Sequence, residues 1–200
     1  MKIERLVLGA IQENCYIVHL DEGCVIVDPG TTDVLQYCLE KQLKVTDILL
    51  THGHYDHIGG VDALVKEYGA HVYATRDTMH VVKDEVLNLS FRHQPITLKS
   101  PIHDVGDGIH IGSEIIDVYE TPGHVIGSCC YLFEKEKIMF TGDTLFAGSV
   151  GRVDFPGSSM QEMQQSITFL KNLQIDCVVA PGHGETTTLE EEKVNNPYFQ

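Results

Sequence analysis

Four separate stretches of this chain repeat one pattern. Each is an apolar run short enough to be a buried strand, then a turn, then side chains that ligate metals. They are Ile48-Leu49-Leu50-Thr51-His52-Gly53-His54-Tyr55-Asp56-His57, Ile115-Ile116-Asp117-Val118-Tyr119-Glu120-Thr121-Pro122-Gly123-His124, Ile138-Met139-Phe140-Thr141-Gly142-Asp143 and Val178-Val179-Ala180-Pro181-Gly182-His183. Turns at strand ends are where a rigid sheet presents functional groups. Seven candidate ligands follow: His52, His54, Asp56, His57, His124, Asp143 and His183. Imidazole and carboxylate suit zinc, iron and manganese. Four of the donors fall within the six residues 52–57. Alternate residues of such a turn can reach two neighbouring points. Seven donors are too many for one tetrahedral ion but fit two divalent ions if one carboxylate bridges them.

The remaining elements are coarser. Strands are expected at Ile3–Leu8, Cys15–Leu20, Cys24–Val27, Ile48–Leu50, Val72-Tyr73 and Cys177–Ala180. Helical spacing predicts a helix over about 33–42, with Val34, Tyr37, Cys38 and Leu35 on its apolar side, and another over 61–68 stopped by Gly69. A third is expected over about 76–83. Met160, Met163, Ile167, Leu170 and Leu173 predict a fourth over 159–173, and Thr188-x-x-Glu191 resembles a capping box opening a last one. Two hairpins are expected, around Gly112-Ser113 and through Glu134-Lys135-Glu136, while residues 86–104 read as loop. Alternating strands and helices with hairpins among them imply sheets covered by helices. Pro122-Gly123-His124 and Pro181-Gly182-His183 form a weak internal echo.

Composition narrows the partners. The chain has 200 residues, with 14 Lys+Arg against 29 Asp+Glu and a formal net charge of −15. The length suits one domain spanning residues 1–200. The acid excess opposes a nucleic-acid grip and a polybasic membrane surface. No apolar run reaches the roughly 20 residues of a spanning helix, and the N-terminal stretch, broken by charge, is not expected to be a signal peptide. A small-molecule substrate is the expected partner. Cys15, Cys24, Cys38, Cys129, Cys130 and Cys177 contain no Cys-x-x-Cys pair and read as buried, reduced thiols, which points to the cytoplasm.

The His-x-His-x-Asp-His run and the later Gly-His, Gly-Asp and Gly-His pairs make the chain resemble the metallo-β-lactamase superfamily. The likeness runs from Asn14-Cys15-Tyr16 and Asp28-Pro29-Gly30 to Asn196-Pro197-Tyr198-Phe199. Within it, Gly142-Asp143-Thr144-Leu145-Phe146-Ala147-Gly148-Ser149-Val150-Gly151-Arg152-Val153-Asp154 is similar to small bacterial glyoxalase II-like (hydroxyacylglutathione hydrolase-like) enzymes. The resemblance implies an α/β fold, the four-layer αββα sandwich, with metals at one edge between two sheets. It assigns His52, His54 and His124 to a first ion, Asp56, His57 and His183 to a second, and Asp143 to both.

Departures from the pattern bound the activity. The β-lactamases of this superfamily generally place no bridging Asp at the Gly-Asp position, so Asp143 argues against that reaction. RNA-processing members carry an added exosite or domain. The diiron flavoproteins replace the second histidine of the first motif by Glu. Full-length glyoxalase II adds a C-terminal helical domain whose basic residues grip glutathione. This chain stops soon after Gly184-Glu185, so that grip is expected to be missing or improvised.

The expected chemistry follows from two divalent ions, zinc first, with iron or manganese as alternatives that these donors also accept. Held roughly 3.5–4 Å apart, they bring the pKa of shared water towards 7. The bridging hydroxide would attack an acyl carbon, one ion stabilising the oxyanion. A thiolate leaving group, with a pKa near about 8.5, needs little protonation, so a small thioester such as a hydroxyacyl-glutathione is the leading substrate. Asp56 is the candidate catalytic residue, ligating and orienting the hydroxide. The alternative is a mononuclear-iron persulfide dioxygenase using His52, His124 and Asp143. A metal-binding protein without turnover is a third reading. Tyr55 and Arg152 are candidates for substrate contact, though Arg152 could equally form a structural ion pair with Asp154. Asp28 either orients the ligand loop or simply turns the chain before Pro29. His19, His71, His80, His93, His103 and His110 lack the strand-end pattern and read as ordinary surface or core residues.

Overall fold

Residues 1–200 are all described in the computed structural model. Six strands build a first sheet: β1 (Lys2–Leu8), β2 (Glu13–His19), β3 (Cys24–Val27), β4 (Val45–Leu49), β5 (His71–Ala74) and β6 (Ile102–Asp104), in that spatial order. β1 to β3 form an antiparallel meander, and β3 to β6 run parallel. Parallel neighbours need crossovers. Helix α1 (Asp33–Glu40) supplies the first, α2 (Tyr55–Ile58) with α3 (Val61–Tyr68) the second, and α4 (Arg76–Val81) the third.

The second sheet holds β7 (Gly108–Ile111), β8 (Glu114–Glu120), β9 (Cys129–Phe133), β10 (Ile138–Gly142), β13 (Val178–Pro181) and β14 (Thr187–Thr188). Its spatial order is β14-β13-β10-β9-β8-β7, with only β10 and β13 parallel. A separate ribbon of β11 (Leu145–Phe146) and β12 (Ser149–Val150) follows β10. Helices α5 (Met160–Asn172) and α6 (Leu189–Asn195) cover this sheet.

Alternation along single strands builds the layers. In β2, Cys15 and Ile17 pack with Val34 and Cys38 of α1 and Val61 and Leu64 of α3, whereas Tyr16 and Val18 face the second sheet. In β9, Cys129, Tyr131 and Phe133 point to the first sheet while Cys130 and Leu132 meet Met163, Ile167 and Leu170 of α5. A strand buried on both faces reads as a continuous apolar run, as Cys129–Phe133 does. The result is the αββα sandwich. All six cysteines are buried and unbridged, and no helix is long and apolar enough to cross a membrane.

Several local expectations need correction. α1 ends at Glu40 rather than Gln42, and only Val34 and Cys38 of its apolar side are fully buried. Met160, the first residue of α5, is exposed, because the apolar stripe starts one turn later at Met163. Residues 86–104 are not all loop: they hold a 3₁₀ turn at Ser90–Arg92 and strand β6. The last helix does begin on its cap, with the Thr188 side chain accepting from the Glu191 amide.

Candidate metal centre

The His52–His57 stretch leaves the C-terminal end of β4 and is fixed from the second sheet. The Cys129 amide donates to the Thr51 carbonyl at 2.8 Å, and the Tyr131 hydroxyl to the Leu50 carbonyl at 2.9 Å. The chain then turns into α2, whose first turn carries Asp56 and His57. His124 follows β8, Asp143 follows β10 and His183 follows β13. Parallel pairing of β10 with β13 brings the last two together. Gly182 permits that approach: a Cβ there would lie 2.4 Å from Asp143 Oδ1 and 2.7 Å from His57 Cε1.

All seven predicted donors converge. The His52, His54 and His124 donor atoms lie within 4.8 Å of one another, and so do those of Asp56, His57 and His183. Asp143 stands between the groups, with Oδ1 3.5 Å from His57 Nε2 and Oδ2 3.4 Å from His124 Nε2 and 3.7 Å from His183 Nε2. Asp56 Oδ2 lies 3.4 Å from His57 Nε2 and 3.3 Å from His183 Nε2. Asp28, His52 and His57 also gather within 4.8 Å, but the Asp28 oxygens are already committed to hydrogen bonds.

Hydrogen bonds set the histidine tautomers. His124 Nδ1 lies 2.8 Å from the Arg152 carbonyl, which can only accept, so its proton sits on Nδ1 and a bare Nε2 turns inward. His57 Nδ1 donates to Asp28 Oδ2 at 3.0 Å. Thr51 Oγ1 donates to Asp28 Oδ2 at 2.6 Å and so accepts from His52 Nδ1 at 3.1 Å. The Thr51 amide donates to Asp28 Oδ1 at 2.8 Å. Asp28 thus both makes the turn, at φ +51°, and orients the ligand loop.

These residues fit a cation. His52 Nε2, His54 Nε2, His57 Nε2 and Asp143 Oδ1 are buried with no hydrogen-bond partner, a costly arrangement if nothing else satisfies them. His54 Nδ1 faces the bare His124 Nε2 at 2.9 Å, close enough for the two imidazoles to share one proton. Burial holds the His52 and His54 imidazoles well below the usual histidine range, so they are neutral at pH 7, as ligands must be. Burial would raise Asp56, but His57 and His183 outweigh it and hold its carboxyl well below the usual range. Burial would likewise lower His57, yet Asp56, Asp143 and Asp28 pull it well above. The ion-pair partners of these three carboxylates are all histidines, so the centre calls for added positive charge.

Five of the donors, His54, Asp56, His124, Asp143 and His183, open onto a cleft of about 500 Å³ whose walls include Tyr55, Leu89, Arg92, His93, Phe146, Val150, Arg152 and Phe155. Both sequence-predicted contact residues line it. Arg152 is paired to Asp154 through two hydrogen bonds of 2.6 Å and lies 4.2 Å over the Phe155 ring. His93, read as an ordinary surface or core residue, is exposed, belongs to no donor group and stacks on Tyr55 at 4.5 Å between centroids. Sequence reasoning also missed Thr51, Arg92 and Glu13. Glu13 is 1% exposed with neither carboxylate oxygen bonded, and burial pushes its carboxyl well above the usual range. Asn14 and Tyr16 were visible only as part of the resemblance. The Asn14 side chain donates to the Pro181 and Gly184 carbonyls at 2.9 Å each, and the Tyr16 hydroxyl to Pro181 at 2.8 Å, which pins the His183 loop.

A sandwich of this topology with this donor set defines a class. The family model of the metallo-beta-lactamase superfamily matches residues 8–183, and the chain belongs to that superfamily. Among its relatives is hydroxyacylglutathione hydrolase GloC of Haemophilus influenzae, 32% identical across 100% of this chain and 98% of its own length. Two solved structures are similar throughout. The B3 metallo-beta-lactamase BLEG-1 is 36% identical with a TM-score of 0.91, each chain covered in full. TTHA1623 in a di-iron-bound form is 32% identical with a TM-score of 0.86, over 98% of this chain and 99% of that one. The chain is accordingly a metal-dependent hydrolase by family, with a His/Asp cluster able to hold divalent metal.

Proposed function

We propose that the protein is a binuclear metallohydrolase that cleaves a small thioester, with a hydroxyacyl-glutathione as the leading substrate. The observation that carries this reading is the pair of donor triads sharing Asp143 at the floor of one cleft. The 32% identity to GloC supports the choice of thioester. The di-iron form of TTHA1623 supports two ions, with iron an alternative to zinc. Six unbridged cysteines agree with a cytoplasmic enzyme.

Divalent ions held by these donors would supply Lewis acidity and a lowered water pKa. The chain's own groups do the rest. Asp56, kept ionised by its two histidine neighbours, accepts a hydrogen bond from the attacking water and aligns it on the acyl carbon. Asp28, through His57 Nδ1, holds that imidazole in one orientation. Phe146, Val150 and Phe155 give the cleft apolar lining. Tyr55 lines the cleft where the acyl portion would lie, and Arg152, paired to Asp154 and laid over Phe155, shapes its wall. The departing thiolate leaves without a dedicated acid, as its low pKa allows.

The test is metal analysis of the purified protein alongside hydrolysis of lactoylglutathione. Two ions per chain with release of free glutathione are expected. One iron per chain with oxygen uptake and sulfite from a persulfide would support the dioxygenase instead. The likeness to BLEG-1 favours one further reading, β-lactam hydrolysis. Turnover of a chromogenic cephalosporin faster than of any thioester would replace the present proposal.

A further inference from the structure

The arm between α4 and β6 is built more firmly than a connecting loop requires. Asn88 and Ser90 are fully buried in it. The Asn88 side chain accepts from the Ser90 amide at 2.8 Å and donates to the Ile96 carbonyl at 2.8 Å. Ser90 Oγ accepts from the Ile96 amide at 3.0 Å and donates back to the Ile96 carbonyl at 3.2 Å. The Asn88 carbonyl accepts the Tyr55 amide at 2.9 Å, which ties the arm to the first residue of the ligand helix α2. Leu89 adopts φ +64°, a left-handed conformation unfavourable for a leucine. Such strain persists where surrounding structure enforces it and tends to mark functional sites. Its effect is to present Leu89, Arg92 and His93 along the cleft wall, with His93 stacked on Tyr55.

Arg92 and Arg152 are the two arginines lining the cleft, and no lysine joins them. They differ in what they have left to give. Arg152 spends its fork on Asp154. Arg92 makes no side-chain hydrogen bond and no direct ion pair; it lies over the ring of Phe91 at 5.2 Å and feels Asp154, already paired to Arg152, only at longer range. In a chain of net charge −15, an arginine without a direct ion pair in the wall of the donors' cleft is available to an anion. Guanidinium binds carboxylate through two parallel N–H groups, which gives orientation as well as attraction.

We propose that Arg92, held out by the arm 87–96, anchors a carboxylate on the thiol portion of the substrate. The proposal rests on the thioester reading above and narrows it to thioesters whose thiol part is anionic, as a γ-glutamyl tripeptide is.

The experiment measures binding of S-methylglutathione and of its dimethyl ester, which lacks both carboxylates, to metal-loaded protein by calorimetry. Arg92→Ala is expected to weaken S-methylglutathione about tenfold, the scale of one charged hydrogen-bonded contact. Arg92→Lys is expected to recover part of that loss. Lys41→Ala, which removes the same charge from outside the cleft, should change nothing. The diester should bind wild type and Arg92→Ala equally. In turnover of lactoylglutathione, the Arg92→Ala defect should fall on KM rather than on kcat. Equal affinity of wild type and Arg92→Ala for S-methylglutathione, an equal loss on the diester, or no binding to wild type would each overturn the anchor. If wild type binds S-methylglutathione through Arg92 yet cleaves no thioester, the anchor stands and the thioester reading falls.

Discussion

At the scale of single residues, Asp28 shows how much of the centre lies behind the donors. Its two oxygens receive the Thr51 amide, the Thr51 hydroxyl and His57 Nδ1. Asp28→Ala should therefore lower metal affinity roughly 10- to 100-fold, as loss of an orienting partner usually does. Chelator competition would measure it, with circular dichroism confirming the fold. The donor groups also differ in their response to acid. His57 and His183 are raised by neighbouring carboxylates, whereas His52 and His54 are lowered by burial. Protons compete with metal at a ligand, and they do so at higher pH where the imidazole is more basic. On the two-ion reading, the Asp56–His57–His183 group should release its ion first as pH falls. Metal content against pH after desalting should show two steps, and one shared step would contradict this. The donors were legible because four sit in six residues and the others follow apolar strands. Asn88, Arg92 and Glu13 were not, because a single polar residue without periodicity or a repeated neighbour carries no signal until the chain folds around it.

Among elements, legibility followed length. α5 runs 13 residues with a buried stripe and was readable from its spacing. α2 has four residues and the β11–β12 ribbon two per strand, too few for any period to register. Yet α2 delivers Asp56 and His57, and the ribbon delivers Phe146 and Val150 to the cleft. The arm 87–96 escaped for another reason: its order comes from Asn88 and Ser90 bonding to backbone, which leaves no apolar pattern. Asn88→Ala strands the Ser90 amide and one Ile96 bond in a buried setting. It should cost about 2–3 kcal/mol in chemical denaturation, the usual range for such orphaned groups. It should also open residues 86–98 to limited proteolysis. Unchanged stability together with unchanged proteolysis would mean the arm is held by other contacts.

On the scale of the whole molecule, the layer order came from the family resemblance rather than from patterning. A run such as Cys129–Phe133 announces burial but not which side meets which layer. The structure assigns the sides through the partners of alternate residues, and it places Glu13, Asp28, Asp56 and Asp143 together in an interior without a lysine. Stripping metal should therefore be felt globally. At metal concentrations near a thousand times Kd, bound ion contributes about 4 kcal/mol, so chelation should lower Tm by roughly 10 °C. The drop should shrink towards pH 5, where protons already weaken binding. Differential scanning fluorimetry across that range would check both.

The seven donors span residues 52 to 183 and hang from both sheets. No pair of adjacent elements holds more than part of the set, so the complete centre cannot exist before the two halves of the sandwich have docked. On the proposed reading, metal would be a latch closed at the end of folding rather than a seed at its start. Ions added during refolding should leave the folding rate nearly unchanged and slow unfolding instead, as interactions absent from the transition state do. Stopped-flow measurements with and without metal would show the effect on the unfolding arm alone.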